Sequence, residues 1–239
     1  MNKKLSIIVP VYNEINTVEI IIKKLIELSL YKETNKEIII IDDNSSDGSE
    51  EIIKSYEKKF DFIKCIYKKI NKGKGDSQKI AKKLVTGDYV IIQDADLEYD
   101  PNQYHLFLEE VVKSNYKVIY GSRVLKKDKF SNTQNFSHKF RILANFFLTY
   151  ISNIINKQNL TDAHTCYKMF DANIFKSITL EENGFAFCPE INTKISNMGI
   201  KIKEIPINYQ GRNYEDGKKI KSIDGIIAIF ALIKYKFLK

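Results

Sequence analysis

The sequence has few of the residues that build disulfide frameworks and zinc sites. Among its 239 residues are three cysteines and three histidines. Cys65, Cys166 and Cys188 lie far apart without a CxxC pair, and no spacing between the histidines is typical of zinc ligands. A disulfide-rich fold and a structural zinc site are therefore not indicated, and a reducing compartment is expected.

Long apolar runs are also lacking. The longest uninterrupted run covers residues 226–233, whereas a membrane-spanning helix needs about 20 apolar residues. The apolar stretch near the N-terminus is too short for the core of a signal peptide. We therefore expect no membrane-spanning segment and a protein that stays in the cytoplasm. No linker rich in Gly, Pro or Ser marks a second domain.

The charge balance is basic, with 38 Lys and Arg against 30 Asp and Glu and a formal net charge of +8. This excess indicates either an ordinary Lys-rich surface or an anionic partner, such as a nucleotide, a phosphate or a membrane headgroup. Nucleic acid is not expected, because the chain has no zinc-finger spacing, helix-turn-helix or RNP-type aromatic motif.

The first half of the chain alternates β-rich apolar runs with segments of helical period. This alternation predicts an α/β fold with a mostly parallel sheet and helices on both faces. Strands are predicted at 5–11, 37–43, 62–68, 88–93 and 117–120, and helices at 15–28, 48–59, 75–85, 101–114 and 137–156. Mixed short elements are expected up to residue 209, followed by a helix in the Lys-rich, apolar C-terminal segment.

Acidic side chains follow the fourth predicted strand. Asp94 and Asp96 stand one residue apart at its end, and Glu98 follows two positions later. Ligands of open α/β sheets bind beyond the carboxyl ends of the strands, and paired carboxylates suit Mg²⁺ or Mn²⁺ that also contacts phosphates. A lone DxD more often caps a turn, but the strand before it and Glu98 after it favour a metal site.

Two other strand-end motifs are less specific. The stretch DDNSSDG at residues 42–48 has the composition of a turn and helix cap, and its Asp43 could also accept a hydrogen bond from a nucleotide base. The stretch NKGKG at residues 71–75 could bring backbone N–H groups, including that of Gly73, and lysine charge to a phosphate. It matches neither the P-loop pattern nor GxGxxG.

Taken in order, these motifs resemble one family. LSIIVPVYNE, IIIIDDNSSDGS, NKGKG, VIIQDADLEYDP and YGSR look like the family 2 glycosyltransferases of the GT-A fold. LTDAHTCYKMFD, GFAFCPEI, IKEIPINYQGR and NYEDGKKIK extend the resemblance over residues 5–221, closest to polyprenyl-phosphate sugar transferases such as dolichyl-phosphate mannose synthase. Cys166 stands where that subgroup usually has Gly, and Lys168 stands where it often has Arg.

The resemblance implies a division of the chain and a role for each strand-end residue. Residues 1–123 would bind the nucleotide sugar, residues 124–210 would complete the GT-A domain on the acceptor side, and residues 211–239 would form a basic loop and an amphipathic helix. The donor-binding residues would be Pro10, Tyr12, Glu14, Asp43, Gly73, Asp94 and Lys218. The metal ligands would be Asp94, Asp96 and Glu98. The residues acting at the transferred group or its phosphates would be Asp96, Arg123, Arg141 and Arg212.

The implied activity is inverting, Mg²⁺- or Mn²⁺-dependent transfer of a hexose from GDP-mannose or UDP-glucose to a polyprenyl phosphate. The alternative is transfer to a saccharide or protein hydroxyl, which would need a carboxylate base such as Glu190 or Asp162. A third reading is a nucleotide-binding or scaffold protein that has lost catalysis.

Membrane contact is left open by two apolar segments. The stripe within residues 140–155 could pack on the core or touch lipid, and the C-terminal helix could dock on the domain or lie on a membrane surface. With a polyprenyl acceptor, we expect a peripheral protein at the cytoplasmic face of a membrane.

Overall fold

The computed structural model describes residues 3–125, 136–211 and 222–238, apart from the side chains of residues 33, 136–142 and 222. The strands are β1 (Lys4–Val11), β2 (Asn35–Asp42), β3 (Ile63–Tyr67), β4 (Tyr89–Ile92), β5 (Val118–Ser122), β6 (Lys168–Asp171) and β7 (Ile202–Pro206). The helices are α1 (Val18–Glu27), α2 (Ser49–Glu57), α3 (Lys74–Lys82), α4 (Tyr104–Ser114), α5 (Phe136–Asn156), α6 (Ala172–Ser177), α7 (Phe187–Asn197) and α8 (Ser222–Ile233). Short 3-10 turns cover Tyr31–Glu33 and Pro101–Gln103, and a π-helical turn at Lys234–Leu238 follows α8.

The strands form one sheet in the order β3-β2-β1-β4-β6-β5-β7. All neighbouring pairs are parallel except those made by β6, which runs antiparallel to both β4 and β5. The carboxyl ends of β1, β2, β4 and β5 consequently meet at one edge of the sheet. The predicted α/β fold with a mostly parallel sheet is confirmed.

Successive residues of the central strands enter opposite cores, as the period of two in a strand requires. Ile7 and Val9 of β1 pack with α1, α2 and α4, whereas Ile8 packs with α3, α6 and α7. Both faces of the sheet are therefore covered by helices, which explains why the strand sequences are continuously apolar.

Four elements between residues 157 and 209, namely β6, α6, α7 and β7, were not individually predicted. β6 has four residues, and β7 is an edge strand with one buried position, so neither offers a long apolar run. α7 carries the buried polar residues Glu190, Asn192 and Thr193, which conceal its helical apolar period. These elements are recognised only from their contacts with residues that are distant in sequence.

Among the described residues, no helix is long and apolar enough to cross a membrane. The predicted C-terminal helix is present as α8, and it packs against α5 and α7.

Glu37 links three strands at the end of the sheet opposite the acidic motif. Its carboxylate accepts hydrogen bonds from Ser6 Oγ at 2.6 Å, from Thr86 N at 2.7 Å and from Lys64 Nζ at 3.0 Å. Burial opposes its ionisation, but these donors outweigh burial and lower the pKa of Glu37 to about 2.

We predict that Glu37→Gln lowers the free energy of unfolding by roughly 2–3 kcal/mol at pH 7, since one pKa unit corresponds to about 1.4 kcal/mol. Because the folded pKa is depressed, the stabilisation is present above the unfolded value and is lost as pH falls toward 2. Urea unfolding at pH 7 and pH 3 measures this difference, with the exposed Glu51→Gln as control. An equal gap between Glu37→Gln and wild type at both pH values would contradict the assignment.

Candidate active site

The loops after β1 and β2 are joined by hydrogen bonds. Asn13 N donates to Ser45 Oγ at 2.9 Å, and Ser46 N donates to Asn13 Oδ1 at 2.8 Å. Asn13 and Asn44 both have positive φ, which Asn tolerates better than most residues. Pro10, half-buried at the end of β1, leads into this pair of loops.

Of the other two predicted donor-binding residues of the first loop, Tyr12 is exposed and Glu14 is buried. Glu14 Oε2 accepts a hydrogen bond from Thr17 Oγ1 at 3.0 Å, and Glu14 N donates to Ser49 Oγ. The contacts that Pro10, Tyr12 and Glu14 make with a nucleotide stay predictions.

Asp43, directly after β2, holds the NKGKG stretch, which we call the donor loop (residues 71–75). Its carboxylate accepts from Lys72 N at 3.0 Å and from Gly73 N at 2.6 Å, and it pairs with Lys68. The N–H of Gly73 therefore points at Asp43 and not outward to a phosphate. A base contact by Asp43 stays a prediction, and its present role is to position this loop.

The donor loop is also pressed against residues 181–184, which we call the bridging segment. A Cβ on Gly73 would lie 2.8 Å from Asn183 O, and a Cβ on Gly75 would lie 2.3 Å from Glu182 O. Gly73 also has a positive φ of 93°. The two glycines are therefore required by close backbone approach.

The acidic loop after β4, which contains Asp94, Asp96 and Glu98, is held by hydrogen bonds from Gln93. This fully buried side chain donates through Nε2 to Asp94 O and Tyr99 O at 3.0 Å, and its Oε1 accepts from Tyr104. Leu97, between Asp96 and Glu98, has a φ of 63°, which is unusual for Leu. The loop geometry is thus imposed by its surroundings.

Asp94 forms an ion pair with Lys74, the first residue of α3. Burial alone would lower the pKa of Lys74, but the Asp94 carboxylate holds it well above its ordinary value. A permanent positive charge therefore stands beside the acidic loop and offsets part of the repulsion between its carboxylates.

The predicted set of three metal ligands is not assembled. Among the residues described, no three His, Cys, Asp or Glu side chains converge closely enough to hold a metal by themselves. Glu98 Oε2 instead accepts a hydrogen bond from Tyr209 OH at 2.7 Å, and Glu98 N donates to Asp96 Oδ1 at 3.1 Å.

Asp94 and Asp96 remain as a pair of hard oxygen donors at the strand end. Mg²⁺ is commonly held by one or two carboxylates together with substrate phosphates and water. The residues present therefore fit a cation that is completed by a bound diphosphate.

Arg123 follows β5 and forms a bidentate pair with Asp162. Its Nε and Nη2 donate to the two carboxylate oxygens at 2.6 and 2.7 Å, and its backbone N donates to Asp162 at 3.1 Å. Despite burial, Arg123 holds the pKa of Asp162 below its usual value. The guanidinium carbon also lies 5.1 Å from the centre of the Tyr209 ring. A phosphate contact by Arg123 stays a prediction.

The acceptor-side block contains buried polar groups. Burial lowers the pKa of His164 to about 4 and also lowers that of Lys168, whose Nζ donates to Ala163 O at 3.1 Å. A hydrogen bond to the Cys188 thiol, together with burial, raises the pKa of Cys166. This agrees with a packing role for Cys166.

Three predicted site residues cannot be compared with the structure. The side chain of Arg141 and all of Arg212 and Lys218 lie outside the described residues. Their phosphate contacts stay predictions.

Three contributors were missed by sequence reasoning, namely the support from Gln93, the pairing of Lys74 with Asp94, and the contact of Tyr209 with Glu98. The signal for Gln93 was available as a polar residue at the end of a buried strand. The other two contacts join residues 20 and 111 positions apart in sequence.

This fold, with acidic residues at the carboxyl edge of its mixed sheet, defines a glycosyltransferase of the GT-A type. The chain matches the family model "Glycosyl transferase family 2" over residues 6–179 and belongs to that family. The expected family and enzyme class are therefore confirmed.

Curated relatives include dolichyl-phosphate beta-glucosyltransferase ALG5A of Trichomonas vaginalis, 28% identical over 235 residues that cover 93% of this chain and 69% of that protein. The uncharacterized protein MJ1222 of Methanocaldococcus jannaschii is 26% identical, with 98% and 92% covered.

Solved structures with the same fold include glucosyl-3-phosphoglycerate synthase of Mycobacterium tuberculosis in complex with Mn²⁺, UDP and glucosyl-3-phosphoglycerate. It is 14% identical with a TM-score of 0.68, and 98% of this chain and 80% of that one are covered. Mannosyl-3-phosphoglycerate synthase of Rubrobacter xylanophilus is 18% identical with a TM-score of 0.71, with 98% and 72% covered.

We predict that Gly75→Ala lowers the free energy of unfolding by about 1–3 kcal/mol, the usual cost of overpacking, because the new methyl group would overlap Glu182 O. It should also weaken nucleotide binding, since the donor loop would have to move. Thermal unfolding and calorimetric titration with UDP and GDP in Mn²⁺ measure the two effects.

Gly184→Ala is the matched control, because nothing lies within 4 Å of a Cβ at that position. If both variants behave alike, the close packing of the donor loop on the bridging segment is not required.

Proposed function

We propose that the protein transfers a hexose, with inversion, from a nucleotide sugar to a polyprenyl phosphate at a membrane surface. The observation that carries the proposal is the Asp94–Asp96 pair beside the half-buried Lys74 at the carboxyl edge of a family 2 sheet. The relatives named as dolichyl-phosphate glucosyltransferases support the acceptor class, and GDP-mannose and UDP-glucose are both suitable donors.

The donor's diphosphate is the group that this edge of the sheet would bind. Asp94 and Asp96 would hold Mg²⁺ or Mn²⁺, which would offset the charge that develops on the departing nucleoside diphosphate. The neighbours complexed with Mn²⁺ or Mg²⁺ and UDP support this choice of cation. Lys74 pairs with Asp94 and orients its carboxylate, and Gln93 fixes the backbone that presents both acids.

A phosphate acceptor is favoured because neither candidate base is available for a hydroxyl acceptor. Both oxygens of the fully buried Glu190 accept hydrogen bonds from Glu181 N and Glu182 N, at 2.7 and 3.0 Å. Asp162 is locked in its bidentate pair with Arg123. A phosphate monoester is ionised at pH 7 and attacks without a base, so this arrangement would suffice.

Helix α5 has polar side chains on its buried face and apolar side chains on its exposed face, which supports membrane contact. Its buried face contains Thr149, Ser152 and Asn156 at helical spacing. Ser152 and Asn156 meet polar residues of α7, and Thr149 Oγ1 accepts a hydrogen bond from Ala163 N at 3.3 Å. Asn192 Nδ2 donates to Ser152 Oγ at 2.8 Å, and Asn156 Nδ2 donates to Thr193 Oγ1 at 3.2 Å. The helix is thus attached to the domain by hydrogen bonds.

The outward face of α5 is apolar, with five large side chains each more than half exposed, namely Leu143, Phe146, Phe147, Tyr150 and Ile154. The neighbouring C-terminal helices expose Ile223, Ile226, Ile227, Phe230, Ile233, Phe237 and Leu238. Apolar surface of this extent marks an interaction site. Lys234 and Lys236 on the turn that follows α8, together with the proposed lipid acceptor, favour a bilayer as its partner.

We predict that the protein transfers labelled hexose from a nucleotide sugar to polyprenyl phosphate in Mg²⁺ or Mn²⁺, and that EDTA abolishes the reaction. Asp96→Asn should reduce the rate by at least about 100-fold, because a preorganised electrostatic contribution is lost. Chromatography of the lipid-linked product measures transfer.

Asp100→Asn is the matched control in the same loop, because Asp100 caps the following 3-10 turn. Transfer to 3-phosphoglycerate or to a saccharide in place of the lipid phosphate would contradict the acceptor assignment.

We further predict co-sedimentation with vesicles that contain anionic lipid. Phe146→Glu and Phe230→Glu should each weaken vesicle binding about tenfold or more, since burying a Phe contributes roughly 1.5–3 kcal/mol. Ile20→Glu, at an exposed position on α1, should leave binding unchanged.

Absence of vesicle binding by the wild type would overturn the membrane assignment. If Phe146→Glu instead converts a dimer to a monomer in gel filtration, a second copy of the chain covers this face.

A further inference from the structure

Glu182 connects the C-terminal helical turn to the bridging segment. Its Oε1 accepts hydrogen bonds from Lys234 Nζ at 2.9 Å and from Tyr235 OH at 2.7 Å. Burial opposes ionisation of Glu182, but these two donors outweigh burial and lower its pKa. A charged, hydrogen-bonded side chain therefore joins residues more than 50 positions apart.

The donors of these hydrogen bonds lie on the π-helical turn, Lys234–Leu238. Tyr235 is almost completely buried and packs with Ala186 and Ala231. Lys234 Nζ also lies 2.9 Å from Tyr235 OH, so both residues reach the same carboxylate. π-helical turns are rare and frequently occur at functional sites.

The backbone of the bridging segment forms the opposite side of this connection. Asn183 O accepts a hydrogen bond from Asp76 N at 3.0 Å, and Glu181 O accepts one from Lys79 Nζ at 3.2 Å. Glu182 O and Asn183 O also lie against Gly75 and Gly73, where they leave no room for a Cβ. The bridging segment therefore packs directly against the donor loop and limits its position.

The bridging segment contacts the donor loop, and the donor loop contacts the acidic motif, so a displacement of the bridging segment would affect that motif. The donor loop carries Lys74, whose ammonium group pairs with Asp94, and the loop is tied at its other end to Asp43. Glu190 accepts hydrogen bonds from the backbone N–H groups of Glu181 and Glu182, so the backbone of the segment is also held by α7.

We infer that Glu182 is a positioning residue for the donor site, which it connects to the C-terminal helices. The inference rests on the proposed function in one respect, namely that the nucleotide binds beside Asp94. Anchoring Glu182 to Lys234 and Tyr235 fixes the bridging segment, and this segment fixes the donor loop that presents Lys74.

The test compares Glu182→Ala, Glu182→Gln and Tyr235→Phe with wild type. We expect Glu182→Ala to weaken binding of GDP or UDP in Mn²⁺ by about threefold to tenfold and to raise the donor KM similarly. The kcat at saturating donor should change less than twofold. Glu182→Gln and Tyr235→Phe each retain part of the hydrogen bonding and should fall between Glu182→Ala and wild type.

Lys236→Met is the matched control. Lys236 lies on the same π-helical turn, but its Nζ donates to Asn197 Oδ1 at 3.0 Å and does not contact Glu182. Its nucleotide affinity should equal that of wild type.

Two results would overturn the inference. One is a lower melting temperature of Glu182→Ala with unchanged nucleotide affinity and donor KM, which would make Glu182 a stabilising anchor only. The other is an equal loss of affinity in Lys236→Met, which would indicate general loosening of the terminal turn.

Nucleotide binding is measured without an acceptor, so failure of this inference is separable from failure of the proposed acceptor. If Glu182→Ala weakens nucleotide binding but the wild type does not modify polyprenyl phosphate, the inference is supported and the proposed acceptor is overturned. A wild type that binds neither GDP nor UDP overturns both.

Discussion

The arrangement of this protein depends on one electrostatic constraint, which is the gathering of carboxylates at the end of a buried strand. Asp94 and Asp96 follow β4 directly, where like charges are costly unless a cation compensates them. Lys74 supplies a permanent part of that compensation from the start of α3. The donor loop that carries Lys74 must therefore be held accurately, and Asp43, the two glycines and the bridging segment all contact it.

Two regions of the protein have opposite surface chemistry. The carboxyl edge of the sheet is polar and charged, whereas α5 and α8 present large apolar side chains outward. The proposed sugar donor is hydrophilic and the proposed polyprenyl acceptor is lipidic, so transfer between them would use both kinds of surface. The contacts around Glu182 join the two regions through short hydrogen bonds.

Much of the fold could be predicted from the sequence because β1, β2 and β4 are buried on both faces. Their apolar runs and the polar residues that end them located the carboxyl edge and most of the candidate site. β6 and β7 could not be predicted in this way. β6 has only four residues and β7 is an edge strand with one buried position, so neither has a long apolar run. The polarity of α5 was also ambiguous, because only its neighbours reveal that Thr149, Ser152 and Asn156 face inward.

The roles of individual site residues were harder to predict than their location. The base contact of Asp43 stays a prediction, and its motif gave no indication that the carboxylate accepts hydrogen bonds from backbone groups about thirty positions later. Glu98 was predicted as a third metal ligand, and its motif gave no indication of the hydrogen bond that its carboxylate accepts from Tyr209 OH. In both cases the partner comes from a distant part of the chain, and a local motif carries no information about it.

The most direct test of the central claim is Mn²⁺ binding followed by electron paramagnetic resonance, with and without UDP or GDP. Two carboxylates alone make a weak site, so the account predicts tight Mn²⁺ binding only when a nucleoside diphosphate is present. Asp96→Asn should abolish that enhancement. Equal Mn²⁺ affinity in the presence and absence of nucleotide, or nucleotide binding that is independent of Mn²⁺, would contradict it.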